Sequence, residues 1–143
     1  GIDILLLPFL PQHTYDRLLG ACDFNIVRGE DSFARALLTG KPFLWNAYLQ
    51  HDRYHLTKVE ALLAWMKTFF RDHNIFLDYR TLMLSINALS CEELKPADNE
   101  DFSNFFKHLH EIEFSAMEIN HFIRANCDLI RHFSAFLRSI PFR

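Results

Sequence analysis

Glycine, proline and cysteine are scarce, at 4, 5 and 3 residues in a chain of 143. So few glycines and prolines exclude a low-complexity linker, and a hydrophobic fraction of 50% excludes intrinsic disorder. Cys22, Cys91 and Cys127 are odd in number, far apart and without a Cys-x-x-Cys pair. That pattern argues against a disulfide framework or structural zinc and for a reducing, cytoplasmic setting. A basic excess is also lacking. With 18 acidic and 15 basic residues the formal net charge is -3, which gives no support to bulk electrostatic binding of nucleic acid or an anionic membrane. No run approaches the roughly 18 apolar residues of a membrane span. The longest, residues 4–10, is interrupted by Pro8 and lacks the preceding basic residues of a secretory signal. Gly1 stands where Met would, already inside this apolar stretch, as expected of a piece cut from a longer polypeptide. Phenylalanine is the residue in excess, with 15 copies, and the length suits one compact domain.

Two compositional halves divide that domain. Residues 1–50 alternate short apolar runs with short helical patterns, and residues 51–143 read as helix throughout. In the first half, residues 4–7 read as a buried strand closed by Pro8 and Pro11, and Tyr15, Leu18, Leu19 and Cys22 recur at helical spacing. Residues 24–27 read as a second strand, followed by a helix from Asp31 that stops at Gly40, and residues 43–45 as a third strand introduced by Pro42. Strands separated by helices of about ten residues predict a parallel α/β sheet. In the second half, Leu56, Val59, Leu62, Leu63, Met66, Phe69 and Phe70 form one helical stripe and Leu82, Met83, Ile86 and Leu89 another. A polar break over residues 90–101 offers Asp98 as an N-cap. Phe102, Phe105, Phe106 and Leu109 then mark one helix, and Phe122, Ile123, Ile130, Phe133 and Leu137 a last one. The phenylalanine stripes read as core.

The segment Arg28-Gly29-Glu30-Asp31-Ser32-Phe33, between a strand and a helix, is where chemistry is expected. Ligands of open α/β sheets gather beyond the C-terminal strand ends, where helix N-termini present free N–H groups. Arg28 can add a charge-assisted bond to a phosphate, and Gly29 lets the backbone approach a ligand. The alternative is ordinary capping, with Asp31 stabilising the helix and Arg28 paired with Glu30. Glu30 would repel a phosphate but suits the hydroxyls of a sugar or ribose, and a nucleotide-sugar offers both groups. Phe9 and Gln12, with Tyr15 near by, suit a nucleobase, unless the aromatics pack into the core. Tyr48 and Gln50 leave the third strand toward the same place. His51 and His55 sit at i, i+4, but no third ligand is evident, and solvated histidines at a helix start are the simpler reading.

The run FLPQHTYDRLLGACDFNIVRGEDSFARALLTGKPFLWNAYLQ, residues 9–50, resembles the protein-arginine rhamnosyltransferase family of bacterial elongation factor P. That family carries the pattern FLPQ…YD.LL…CD.N.VRGEDSF.RA…G.PF.W..Y.Q. Looser similarity runs through residues 52–63 and Asp128, Leu129, Ile130, Phe133 and Leu137, so the resemblance spans nearly the whole chain. Its specificity lies in RGEDSF. It implies a GT-B fold of two Rossmann-like domains, with this chain as the C-terminal donor-binding half: a nucleotide-sugar-binding core over residues 1–50 and the helical remainder of the same domain over 51–143.

The implied activity is transfer of L-rhamnose, with inversion and without metal or other cofactor, from dTDP-β-L-rhamnose to an arginine of elongation factor P in the bacterial cytoplasm. By the resemblance, Gln12 holds the thymine region, Tyr15 lines the base, Arg28, Asp31 and Ser32 surround the diphosphate, Tyr48 bonds it, and Glu30 supports activity. Asp52 stands where acidic residues reach sugar hydroxyls in many GT-B enzymes. Gly20 replaces a usual tryptophan and Leu49 a usual proline, departures that bear on packing behind the base and on the loop carrying Tyr48. A guanidinium, with a pKa above about 12, is a poor nucleophile and needs a carboxylate to take or polarise its proton. The family's aspartates for this lie in the N-terminal domain, so these 143 residues alone are expected to bind donor weakly and not to catalyse. Two other functions fit the same residues: another nucleotide-sugar GT-B enzyme, and a non-enzymatic helical interaction module.

Overall fold

The computed structural model of the chain describes residues 3–88 and 95–128. It is an α/β arrangement of two short parallel strands and mostly helices. In chain order the elements are α1 (Gln12–Ala21), β1 (Asn25–Arg28), α2 (Glu30–Leu37), β2 (Phe43–Asn46), α3 (Tyr54–Met66), α4 (His73–Ser85), α5 (Asn99–Lys107) and α6 (Leu109–Asn126). Single 3-10 turns precede and follow α3, at His51–Arg53 and Lys67–Phe69. β1 and β2 pair in parallel with Asn25 opposite Phe43 and Arg28 opposite Asn46, α2 being the crossover between them. The punctuation is as the residues dictate. Pro11 caps α1 at φ -57, a value its ring prefers, and Gly40 takes φ 73 after α2 has ended at Leu37.

A two-stranded sheet is marginal by itself and needs cover. Phe43, Leu44 and Trp45 of β2 are all buried, and Phe33 of α2 stacks on Trp45 with ring centroids 4.5 Å apart. On its side away from β1, the backbone of β2 is answered by side chains of α4 and the turn after it. Tyr79 Oη donates to Phe43 O at 2.8 Å, Trp45 N donates to Met83 Sδ at 3.1 Å, and Asn87 serves Trp45 O and Ala47 N. This edge is closed. Tyr79 is fully buried, which pushes its phenol pKa far up and keeps the hydroxyl a neutral donor. The helices are joined by aromatics: Phe24 lies 4.9 Å from Phe105, Tyr79 6.1 Å from Phe105, and Trp65, Phe69 and Phe122 form a separate group. The phenylalanine excess thus serves mainly as core.

Four expectations require correction. Residues 4–7 are not a buried strand: the sheet has two strands among the described residues, and Ile4, Leu5 and Leu6 are 80–89% exposed. A buried strand needs a paired edge and cover on both faces, and the described residues give this segment neither. α2 starts at Glu30, not Asp31, because Gly29 at φ 82 and ψ 168 turns the chain directly from strand to helix. Leu109, Phe122 and Ile123 share one helix, since the chain breaks at His108 (φ -108, ψ 18) and then runs unbroken to Asn126. His55 is buried, with 1% exposed, whereas His51 is exposed, so only one of the pair is solvated. Asp98 is an N-cap as expected, its carboxylate accepting from Glu100 N and Asp101 N while Asp101 returns a bond to Asp98 N. The readings on Leu89, Cys91, Ile130, Phe133 and Leu137 lie outside the described residues.

Candidate functional site

The first turn of α2 is open at its amide end. Its first intrahelical bond runs from Phe33 N to Gly29 O at 3.1 Å, and no side chain caps the turn. The amides of residues 30–32 therefore precede the helical ladder, where N–H groups and helix dipole together favour an anion. α2 has this geometry because Gly29 does two things at once. Its N–H completes the strand ladder to Asn46 O at 3.3 Å, and its carbonyl accepts both Phe33 N and Trp45 Nε1, the latter at 3.1 Å.

A hollow of about 730 Å³ lies at this turn, within the size range of ligand pockets. It is walled by Leu7, Pro8, Phe9 and Leu10 of the extended entry segment, by Gln12, Tyr15 and Leu18 of α1, and by Asp31, Ser32 and Arg35 of α2. Of the residues expected to bind a donor, Gln12, Tyr15, Asp31 and Ser32 thus come together. Ser32 is half-buried in the wall, and Phe9 is fully exposed, not packed into the core. The entry segment holds exposed apolar surface at the mouth of the hollow, which Gln12, Asp31, Ser32 and Arg35 make polar on its other side.

Arg28, Glu30 and Tyr48 form a second group on the same turn and do not wall the hollow. The Arg28 guanidinium lies 5.3 Å from the centre of the Tyr48 ring, and that ring rests against Gly29. Glu30 Oε1 accepts from Lys58 Nζ of α3 at 3.1 Å, and this bond holds its carboxyl below the ordinary carboxylate value. Of the capping alternative, Asp31 does support the helix from its first turn, paired with Arg35, but Gly29 occupies the N-cap and Glu30 pairs with Lys58 instead of Arg28. Asp52 sits exposed in a 3-10 turn at φ 57, followed by Arg53 at φ 59, two consecutive left-handed residues other than glycine.

Arg35 went unread in the sequence. Its Nε donates to Asp31 Oδ2 at 2.8 Å and its Nη1 to both oxygens of Asp16, at 2.8 and 3.0 Å. The Gln12 carboxamide lies against the same guanidinium and, with its oxygen facing Arg35, accepts from Nη1 and Nη2. The Asp31-to-Arg35 spacing of four is visible in the sequence, but Asp16 lies 19 residues away and no local pattern reveals it. Arg35 lowers the carboxyl pKa of Asp31, and the two carboxylates raise that of Arg35. Among the described residues no group of three acidic, histidine or cysteine side chains is placed to hold a metal ion. No helix among them is long and apolar enough to cross a membrane.

Strand, glycine turn and open helix N-terminus thus stand beside an exposed apolar lip in one α/β unit. Comparison with known proteins supplies the family. The model of the family described as elongation factor P (EF-P) rhamnosyltransferase EarP matches residues 1–138, and the chain belongs to that family. Similar relatives include protein-arginine rhamnosyltransferases of Pseudomonas putida, 52% identical over 64 residues, and of Shewanella oneidensis, 57% identical over 58. Those stretches cover 45% and 41% of this chain but only 17% and 15% of the relatives. A solved structure described as the structural basis for EarP-mediated arginine glycosylation of translation elongation factor EF-P is 31% identical. It has a TM-score of 0.67, covering 93% of this chain and 40% of that one. The chain therefore spans well under half of the proteins it matches.

Proposed function

We propose that this chain supplies the donor site of a GT-B arginine rhamnosyltransferase, binding dTDP-β-L-rhamnose for transfer to an arginine of elongation factor P in the bacterial cytoplasm. The observation that carries this reading is the hollow at the uncapped N-terminus of α2, walled by Asp31 and Ser32 and by the Gln12–Tyr15 side of α1. The diphosphate lies on the amides of Asp31 and Ser32, with Arg28 and Tyr48 closing from the Gly29 side. The thymine lies between Phe9, Gln12 and Tyr15. No metal or other cofactor enters this scheme: helix N-terminus, guanidinium and phenol stabilise the departing dTDP as its charge develops. Glu30, held ionised by Lys58, is an acceptor for hydroxyls of the sugar or ribose and a weak proton acceptor, so it orients the donor. The stronger base that takes the arginine proton is assigned to carboxylates outside these residues, and the isolated chain binds without transferring.

Ligand linkage tests the reading. Saturating dTDP, at about 100 times its Kd, should stabilise the fold by about 2.7 kcal/mol. The rise in unfolding temperature should largely vanish in Arg28→Ala, and UDP should raise it less than dTDP. An unchanged unfolding temperature, or an Arg28→Ala response equal to the parent's, would overturn the donor-site assignment.

A further inference from the structure

We propose that Arg35 is a positioning residue that sets the charge of the hollow, making it acceptable to a diphosphate. This rests on the donor-site reading above and adds to it a residue which touches neither the phosphates nor the base in that scheme. The argument starts from an apparent contradiction. Asp31 walls the hollow next to the anion-binding amides, and Asp16 follows one turn after Gln12 on the neighbouring helix. A carboxylate in the wall, with a second bonded to the same guanidinium just outside it, would oppose a ligand carrying two phosphoryl groups.

Among the described residues Arg35 is the one guanidinium that binds both, and its side chain is only 21% exposed, so its charge is less screened than that of a surface arginine. With Arg35 present the trio carries a single net negative charge, distributed around a cation that faces the hollow. Without it the trio carries two. The same guanidinium meets the Gln12 carboxamide, so the base side and the phosphate side of the hollow share one anchor across α1 and α2. Lys58 and Arg28 do not serve in its place: Lys58 is bonded to Glu30, and Arg28 lies over Tyr48 on the other side of Gly29.

Charge and mere helix-to-helix tethering are separable. Calorimetric titration of the full-length polypeptide with dTDP, with unfolding temperatures measured in parallel, compares Arg35→Gln, Arg35→Lys and the double variant Asp16→Asn/Arg35→Gln. Arg35→Gln is expected to weaken dTDP binding about tenfold, Arg35→Lys by no more than about threefold. The double variant returns the trio to one net negative charge while leaving the tether broken. It is expected to regain most of the lost affinity, and the loss in Arg35→Gln should shrink at high salt. Parent-like affinity in Arg35→Gln overturns the proposal and leaves the donor site standing. A double variant as weak as Arg35→Gln overturns it too, assigning Arg35 a tethering role only. Absence of dTDP binding by the parent overturns both the donor site and this proposal.

Discussion

Gly29→Ala is expected to cost about 2 kcal/mol of folding stability, and to take nucleotide binding with it. The backbone at Gly29 has φ 82 and ψ 168, a region open essentially to glycine alone. A side chain there also meets Tyr48, since a Cβ would sit 2.5 Å from Cε2 of that ring. The two costs differ in kind. Tyr48 is half exposed and can swing away, which relieves the clash but lifts the ring from Gly29 and from the Arg28 guanidinium. The backbone strain has no such escape, because Gly29 is tied on one side to Asn46 of β2 and on the other to Phe33 and Trp45. Denaturant unfolding should show the loss in midpoint with an unchanged slope. Adding Tyr48→Ala should recover little of the stability and none of the binding. A Gly29→Ala protein as stable as the parent would mean that the turn relaxes freely.

Asn87→Leu is expected to be at least as damaging, at about 3 kcal/mol. Asn87 is buried, with 2% exposed. Its Nδ2 donates to Trp45 O and Met83 O, each at 2.8 Å, and its Oδ1 accepts from Ala47 N at 2.9 Å. Leucine keeps the branched skeleton with bulkier methyl ends, so no cavity opens and some overpacking adds to the cost. What is lost is the partner of Trp45 O, Met83 O and Ala47 N, and among the described residues no further strand serves Trp45 O and Ala47 N on that edge. Leaving buried groups unpaired costs more than the net worth of the bonds that served them. Equilibrium unfolding measures this directly. A loss under about 1 kcal/mol would show that the edge of β2 rewets or re-pairs without the asparagine.

These two positions also show what the amino-acid order reveals and what it hides. The strand–helix–strand unit around Gly29 was legible because its signals are local: an apolar run, a glycine, polar N-terminal residues, then Gly40 and Pro42. The strand-to-helix turn in RGEDS was legible for the same reason, as was the Asp98 cap. Contacts between distant residues were not. Arg35 reaches Asp16 across 19 residues, Asn87 reaches Trp45 across 42, and Lys58 reaches Glu30 across 28. No periodicity encodes such pairs. The break at His108 was missed because no glycine or proline marks it, and the apolar spacing from Phe105 to Leu109 continues through it. Residues 4–7 misled for the opposite reason. Their composition is that of a strand, but a strand is made by its neighbours, and among the described residues none pairs with them.

Tyr15, Gln12, Asp31 and Ser32 wall one hollow, while Arg28, Glu30 and Tyr48 surround Gly29 on its other flank. In the proposed site a ligand that engages both groups crosses the first turn of α2 with its phosphates on the amides there. Backbone N–H resonances followed during titration with dTDP test that point most directly. The amides of Asp31 and Ser32 should move downfield together, saturating with the calorimetric Kd, while those of His110 and Phe114, which line a separate groove between α6 and the start of α4, stay still. Saturable binding that leaves Asp31 and Ser32 unmoved, or moves only the α6 groove, would contradict the account.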